Sequence, residues 1–212
     1  MKRLFLISFI VLAAPRALAA DSTVVTSSND SHEIGLLVAP KLGFFKSTSG
    51  LEGASYIGAE VGYLTPLLDH RLAVVLEGSW YRPATSGSAP SPQLTINGTT
   101  ADSSYRVTER QFAFLLSLVY RFQDVLPKFT PYGGLGPGFY LHRSTATAFG
   151  TTNSETEGAV GFQLLGGGEY VLGPGAAFLE VHYHFTRVDF VTTGNANVGG
   201  FLAGGLGYRF RF

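Results

Sequence analysis

The chain contains no cysteine, which excludes a disulfide framework, a zinc–thiolate centre and a thiol nucleophile. Long uncharged apolar runs are also missing. Beyond residue 20 the longest is Phe112 to Tyr120, which is strand-sized and well short of the roughly 18–20 residues of a membrane-crossing helix. Neither sign of charge is in excess, with 15 Lys and Arg against 15 Asp and Glu. No basic patch of the kind a nucleic-acid partner wants is visible, so none is expected. If such a chain spans a membrane it must do so as a closed β-barrel. Only helices and barrels satisfy their backbone hydrogen bonds in lipid.

The first residues read as an export signal. Lys2 and Arg3 precede the apolar stretch Leu4 to Ala14, and Ala17-Leu18-Ala19 supplies a small-residue cleavage site, the three-part layout of a secretory signal peptide. The expected organisation is a signal peptide over 1–19, a polar periplasmic segment over 20–32 and a single β-domain over 33–212. Losing Lys2, Arg3 and Arg16 leaves the mature chain mildly acidic.

What the chain does have is period-two alternation. At its end Leu202, Gly204, Leu206, Tyr208, Phe210 and Phe212 share one face, while Ala203, Gly205, Gly207, Arg209 and Arg211 share the other. Successive strand side chains point to opposite faces, so one face is greasy and the other small or charged. The pattern recurs at Phe112 to Phe122, Leu72 to Trp80 and Leu179 to Thr186, and more weakly at Ile34 to Phe44, Ile57 to Tyr63, Leu135 to Leu141 and Val160 to Tyr170. That gives eight strands.

The charges decide which face is which. Lys41, Glu60, Glu77, Arg121, Glu169, Glu180, Arg209 and Arg211 all oppose the apolar rows, which are charge-free except at Arg187. A lipocalin-like barrel would carry the inverse, with its apolar face inward. A mid-depth Arg or Lys facing lipid costs about 2–4 kcal/mol, so the expected fold is an all-β, eight-stranded antiparallel up-and-down transmembrane barrel with a polar lumen. Short Pro- or Gly-bearing connections at Pro66–Arg71, Gln123–Lys128 and Gly173–Gly175 alternate with longer Ser/Thr/Gly-rich ones at Lys46–Ser55, Pro83–Ser103, Ser144–Glu157 and Thr192–Asn197. Short periplasmic turns and long extracellular loops are the outer-membrane arrangement. Asn97-Gly98 suits a tight hairpin turn inside the longest loop.

Three stretches resemble the small outer-membrane β-barrel family that includes OmpA-like and opacity-type proteins. They are Pro131-Tyr132-Gly133-Gly134-Leu135-Gly136-Pro137-Gly138, then Gly161 to Tyr170 with Leu179-Glu180-Val181-His182-Tyr183, and Tyr208-Arg209-Phe210-Arg211-Phe212. The resemblance implies location in the bacterial outer membrane, with its lipids and lipopolysaccharide as surroundings. It also implies that Leu206, Tyr208, Phe210 and Phe212 form the signal read by the barrel-assembly machinery, after escort by periplasmic chaperones. A monomer without cofactor, catalytic residues or an appended peptidoglycan-binding domain is expected.

The candidate site is the lumen cluster of Lys41, Glu60, Glu77, Glu109, Arg121, Glu169, Glu180, His182, His184, Arg209 and Arg211. An eight-stranded barrel is just wide enough for side chains to fill, so the bland reading is a paired polar plug and the sharper one a narrow gated pore. Glu180, His182 and His184 share a face and could ligate a metal, but one strand offers no closed shell. Lipid A deacylases, also eight-stranded, use a His-x-Ser pair with a carboxylate. The nearest match here, His184-Phe185-Thr186, has Thr for Ser and faces the lumen. The glycines of Gly134 to Gly138 and Gly166 to Gly168 precede no helix, so they are not phosphate loops. They read better as space left for large neighbours across the lumen.

Overall fold

The computed structural model describes residues 35–48, 52–96, 99–187 and 200–212. The signal peptide, the 20–32 segment, the Asn97-Gly98 turn and the Thr192–Asn197 loop lie outside them. Among the described residues nine strands run in chain order: β1 Leu36–Ser47, β2 Ala54–Leu64, β3 Leu72–Tyr81, β4 Ala84–Ile96, β5 Thr99–Arg121, β6 Phe129–Ala148, β7 Thr151–Leu172, β8 Gly175–Phe185 and β9 Phe201–Arg211. β3 and β4 do not pair with each other; the other consecutive strands pair antiparallel, β1 pairs with β9, and β3 pairs with β5. Those contacts close an eight-stranded ring, with β4 lying beyond it.

β4 continues β3 after a break at Arg82-Pro83. Proline has no N–H to give the ladder, but its carbonyl still accepts from Glu109 N at 2.9 Å. The pairs Tyr81↔Gln111 and Ala84↔Thr108 on either side keep one register.

The alternation is read out in burial. On β5, Phe112, Phe114, Leu116 and Leu118, with Phe122 just past its end, are exposed while Gln111, Ala113, Leu115, Ser117, Val119 and Arg121 are buried. In a membrane barrel such an outward apolar row is solvated by lipid. The row from Phe112 to Phe122 rises about 26 Å at ~3.4 Å per residue and a ~40° tilt, the height of a membrane barrel's apolar band.

Two of the expected long loops are instead strand. Pro83–Ser103 forms β4 and the start of β5, and most of Ser144–Glu157 extends β6 and β7. These stretches are rich in Ser, Thr and Gly and lie past the ends of the apolar rows, yet their backbones still need partners and find them in each other. The β6–β7 hairpin closes on Phe149 and Gly150, with φ of 52° and 76°, the two positive values of a type I′ turn. The short turns fall where expected, and two of them touch: Gln123 Nε2 donates to the His70 carbonyl at 3.2 Å.

Candidate functional site

The interior is filled in layers. Nearest the short turns Leu37, Leu64, Ala73, Val75, Val119 and Tyr132 pack together, and farther along Phe45, Tyr56, Tyr81, Ala113, Leu115, Tyr140, Phe201 and Ala203 form a second cluster. Its rings sit at centroid distances of 4.7 Å for Phe45–Phe201 and 5.0 Å for Phe45–Tyr81, the spacing of favourable aromatic pairs.

The charged residues form a network of buried side chains. Glu60 on β2 lies directly opposite Glu77 on β3, a like-charge pairing that is destabilising when left alone. Lys41 resolves it: its Nζ lies 2.5 Å from Glu77, 2.6 Å from Glu180 and 3.4 Å from Glu60. The second oxygen of Glu180 accepts from Tyr132 Oη at 2.9 Å. Arg209 extends the chain of contacts, with Nε 2.7 Å from Glu60 and Nη1 2.9 Å from Glu169. Its guanidinium also lies over the rings of Phe178 at 4.6 Å and Tyr132 at 5.2 Å. Glu169 in turn takes Arg121 and, at 2.6 Å, Arg211. Charge-assisted bonds of this kind are the strong ones in a dry interior.

The remaining candidates separate by position. His182 Nδ1 meets Gln163 Oε1 at 3.1 Å, and Gln163 donates to Ser117 at 2.5 Å. His182 Nε2 is 2.8 Å from Glu180 Oε1, outside hydrogen-bonding geometry. His184 joins the aromatic layer, bonded to Tyr140 Oη at 2.9 Å and stacked on Phe201 at 4.1 Å. Glu109 pairs with His142 at 2.8 Å, both fully buried. His142 was absent from the expected cluster. Its place in the inward row with Tyr140 and Ser144 could have revealed it.

Glu77, Glu180 and His182 bring ligand atoms within 4.8 Å of one another, but the ammonium of Lys41 already lies between those two carboxylates. The donor set is committed to a fixed cation. His184 and Thr186 are both buried, so a His-x-Thr pair here would not meet a lipid substrate on the outer surface.

The glycine expectation divides. A side chain on Gly138 would meet Leu115 and Tyr140, both in the lumen, whereas Gly166 faces outward with nothing within 4 Å. The lumen reading fails at Gly166 because its register places it on the lipid face. The assembly-signal residues are outward or at the rim: Leu206, Phe210 and Phe212 are exposed, and Tyr208 Oη donates to the Leu172 carbonyl at 2.6 Å.

A second feature lies outside the barrel. Arg110 on β5 directly opposes Arg143 on β6, and the unbroken register across Pro83 sets Arg82 opposite Arg110. All three are exposed. They stand one step above the apolar row Trp80, Phe112 and Leu141, so they mark the rim of the belt. The sequence shows no basic run because the three residues converge only through strand register.

A family model described as the outer membrane protein beta-barrel domain matches residues 5–210. Among solved structures, a major outer membrane protein from Thermus thermophilus is similar at 14% identity and a TM-score of 0.53, over 84% of this chain and 99% of that one. The N-terminal β-barrel domain of Pseudomonas aeruginosa OprF is similar at 14% identity and a TM-score of 0.47, over 84% and 98%. Ail, the attachment invasion locus protein of Yersinia pestis, is similar at 14% identity and a TM-score of 0.41, over 82% and 96%. Among curated protein sequences no match was found.

Proposed function

The chain belongs to the outer membrane protein β-barrel domain family, and from that premise we propose that it is a closed, non-conducting barrel that carries protein surface outside the cell. The observation that carries this reading is the filled lumen: the Lys41–Glu60–Glu77–Glu180–Arg209 network lies between two apolar layers. Each buried charge has a partner, which lowers the cost of desolvating it. A resident pore would need water where these side chains meet. By the rule that short turns are periplasmic, the β4–β5 and β6–β7 hairpins stand on the extracellular side. They carry on the order of 24 Å (β6–β7, Leu141 to Ala148) to 44 Å (β4–β5, Phe112 to Thr99) of extended chain past the apolar belt, at ~3.4 Å per residue.

On this reading the barrel is a monomeric, structural anchor in outer-membrane lipid and lipopolysaccharide. Its assembly passes through periplasmic chaperones and the barrel-assembly machinery, and no catalytic role is assigned to the lumen residues. The hairpins supply a second reading, as an adhesive or ligand-binding surface, because both carry paired strand beyond the belt. Planar-bilayer recording of the refolded protein tests the first reading. No stepwise conductance is expected at any voltage, and reproducible single-channel steps would replace it with a gated pore. Deleting residues 84–107 while keeping the ring tests the second. Folding should be retained and adhesion to host cells lost, and unchanged adhesion would sink the idea.

A further inference from the structure

Like charges set directly opposite on neighbouring strands repel, and Arg82, Arg110 and Arg143 make two such pairings side by side. No ion pair with a carboxylate relieves them among the described residues. Elsewhere in this barrel the opposed carboxylates Glu60 and Glu77 share a counter-ion, Lys41. Among the described residues the outward arginines have no such partner, and an external anion of multiple charge would supply it.

The surroundings specify what kind of anion. The row sits at head-group level, one step above Trp80, Phe112 and Leu141. Directly below, Ile57, Trp80, Phe112 and Phe114 rim an outward groove floored by Gly78, where a side chain would meet nothing within 4 Å. Guanidinium groups grip phosphate through paired N–H donors, and an apolar outward groove suits a hydrocarbon chain. The arginine row and the groove meet along one strand: Gly78, Trp80 and Arg82 follow each other along β3 and its continuation.

We propose that this face of β3, β5 and β6 is a binding site for a phosphorylated lipid of the outer leaflet. Arg82, Arg110 and Arg143 hold its phosphates, and one acyl chain lies in the groove over Gly78. The site deepens the anchor role above and rests on the belt lying in lipid.

Wild type and the triple variant Arg82→Gln, Arg110→Gln, Arg143→Gln are refolded into phosphatidylcholine vesicles. The vesicles are used plain, with bis-phosphorylated lipid A, or with its dephosphorylated form. The unfolding midpoint is read from the mobility difference of boiled and unboiled protein. The phosphorylated lipid should raise the wild-type midpoint, the dephosphorylated form should not, and the triple variant should gain nothing. Apparent lipid affinity should fall on the order of fivefold for each arginine removed. Gly78→Leu, which fills the groove without touching the arginines, should weaken the same lipid while folding normally in plain vesicles. Equal shifts in wild type and triple variant, or equal shifts with both lipids, would overturn the site. So would soluble pyrophosphate protecting the protein as well as the lipid does, since the anion would then not be a membrane component. Failure of wild type to fold into plain vesicles would instead strike the membrane placement, so the two failures are distinguishable.

Discussion

The ammonium of Lys41 on β1 lies 2.5 Å from the carboxylate of Glu77 on β3, and β2 separates those strands in the wall. The contact therefore crosses the lumen, tying together strands that share no backbone hydrogen bonds. Breaking a buried pair by removing one partner typically costs about 3–5 kcal/mol, because the other charge is left uncompensated. Lys41→Met should lose stability of that size in urea titrations in detergent micelles, followed by the fluorescence of the single tryptophan, Trp80. Adding Glu77→Gln should restore part of the loss. A double variant as unstable as Lys41→Met would show that the pair is not coupled.

Glycine in this barrel has two unlike roles, and substitution should separate them. A Cβ on Gly205 would run into the Tyr56 hydroxyl, whereas one on Gly166 meets nothing within 4 Å. Gly205→Val should cost about 1–3 kcal/mol through overpacking. Gly166→Val should fold at least as stably as wild type, because valine favours strands and the space is open. Thermal midpoints of the two variants measured side by side would check the contrast, and equal destabilisation would contradict it.

The outward belt makes its own demand. Leu116 sits midway along the exposed apolar row of β5, while Ser104 lies on the same strand well beyond the row. Leu116→Arg should cost about 2–4 kcal/mol of folding free energy in vesicles, and Ser104→Arg should stay within about 0.5 kcal/mol of wild type. Folding titrations into phosphatidylcholine vesicles give both numbers. A harmless Leu116→Arg would mean that this row does not face lipid.

How much of this was legible in the sequence follows from what alternation measures. It records the contrast between lipid outside and polar lumen inside, so Lys41, Glu77 and Arg209 could be assigned inward before any coordinates. Past the belt the contrast vanishes, as at Thr85 to Ser88 and Asp102 to Val107, where no apolar row alternates with a buried one, and strand reads as loop. Pro83 lacks an N–H for the ladder, yet its carbonyl accepts from Glu109 N and the register holds across it. The partners within the lumen were not legible either, since nothing local to Glu109 names His142 as its neighbour. The outward arginines were hidden for the same reason: Arg82, Arg110 and Arg143 meet only once three strands are set in register.

Phe212 helps close the ring. Phe212 N donates to the Leu36 carbonyl at 3.0 Å, and Leu36 N donates back to the Phe212 carbonyl at 3.2 Å. The side chain itself is exposed, so it adds little packing to the finished barrel. If it serves recognition during assembly, Phe212→Ala keeps the backbone pair and should leave the thermal midpoint of purified protein unchanged. The heat-modifiable, folded fraction recovered from outer membranes should nevertheless fall several-fold. Deleting Phe212 removes the pair as well, and should lower both yield and midpoint. Equal folded yields from wild type and Phe212→Ala would confine the residue to barrel closure and leave assembly to the alternation of Leu206, Tyr208 and Phe210.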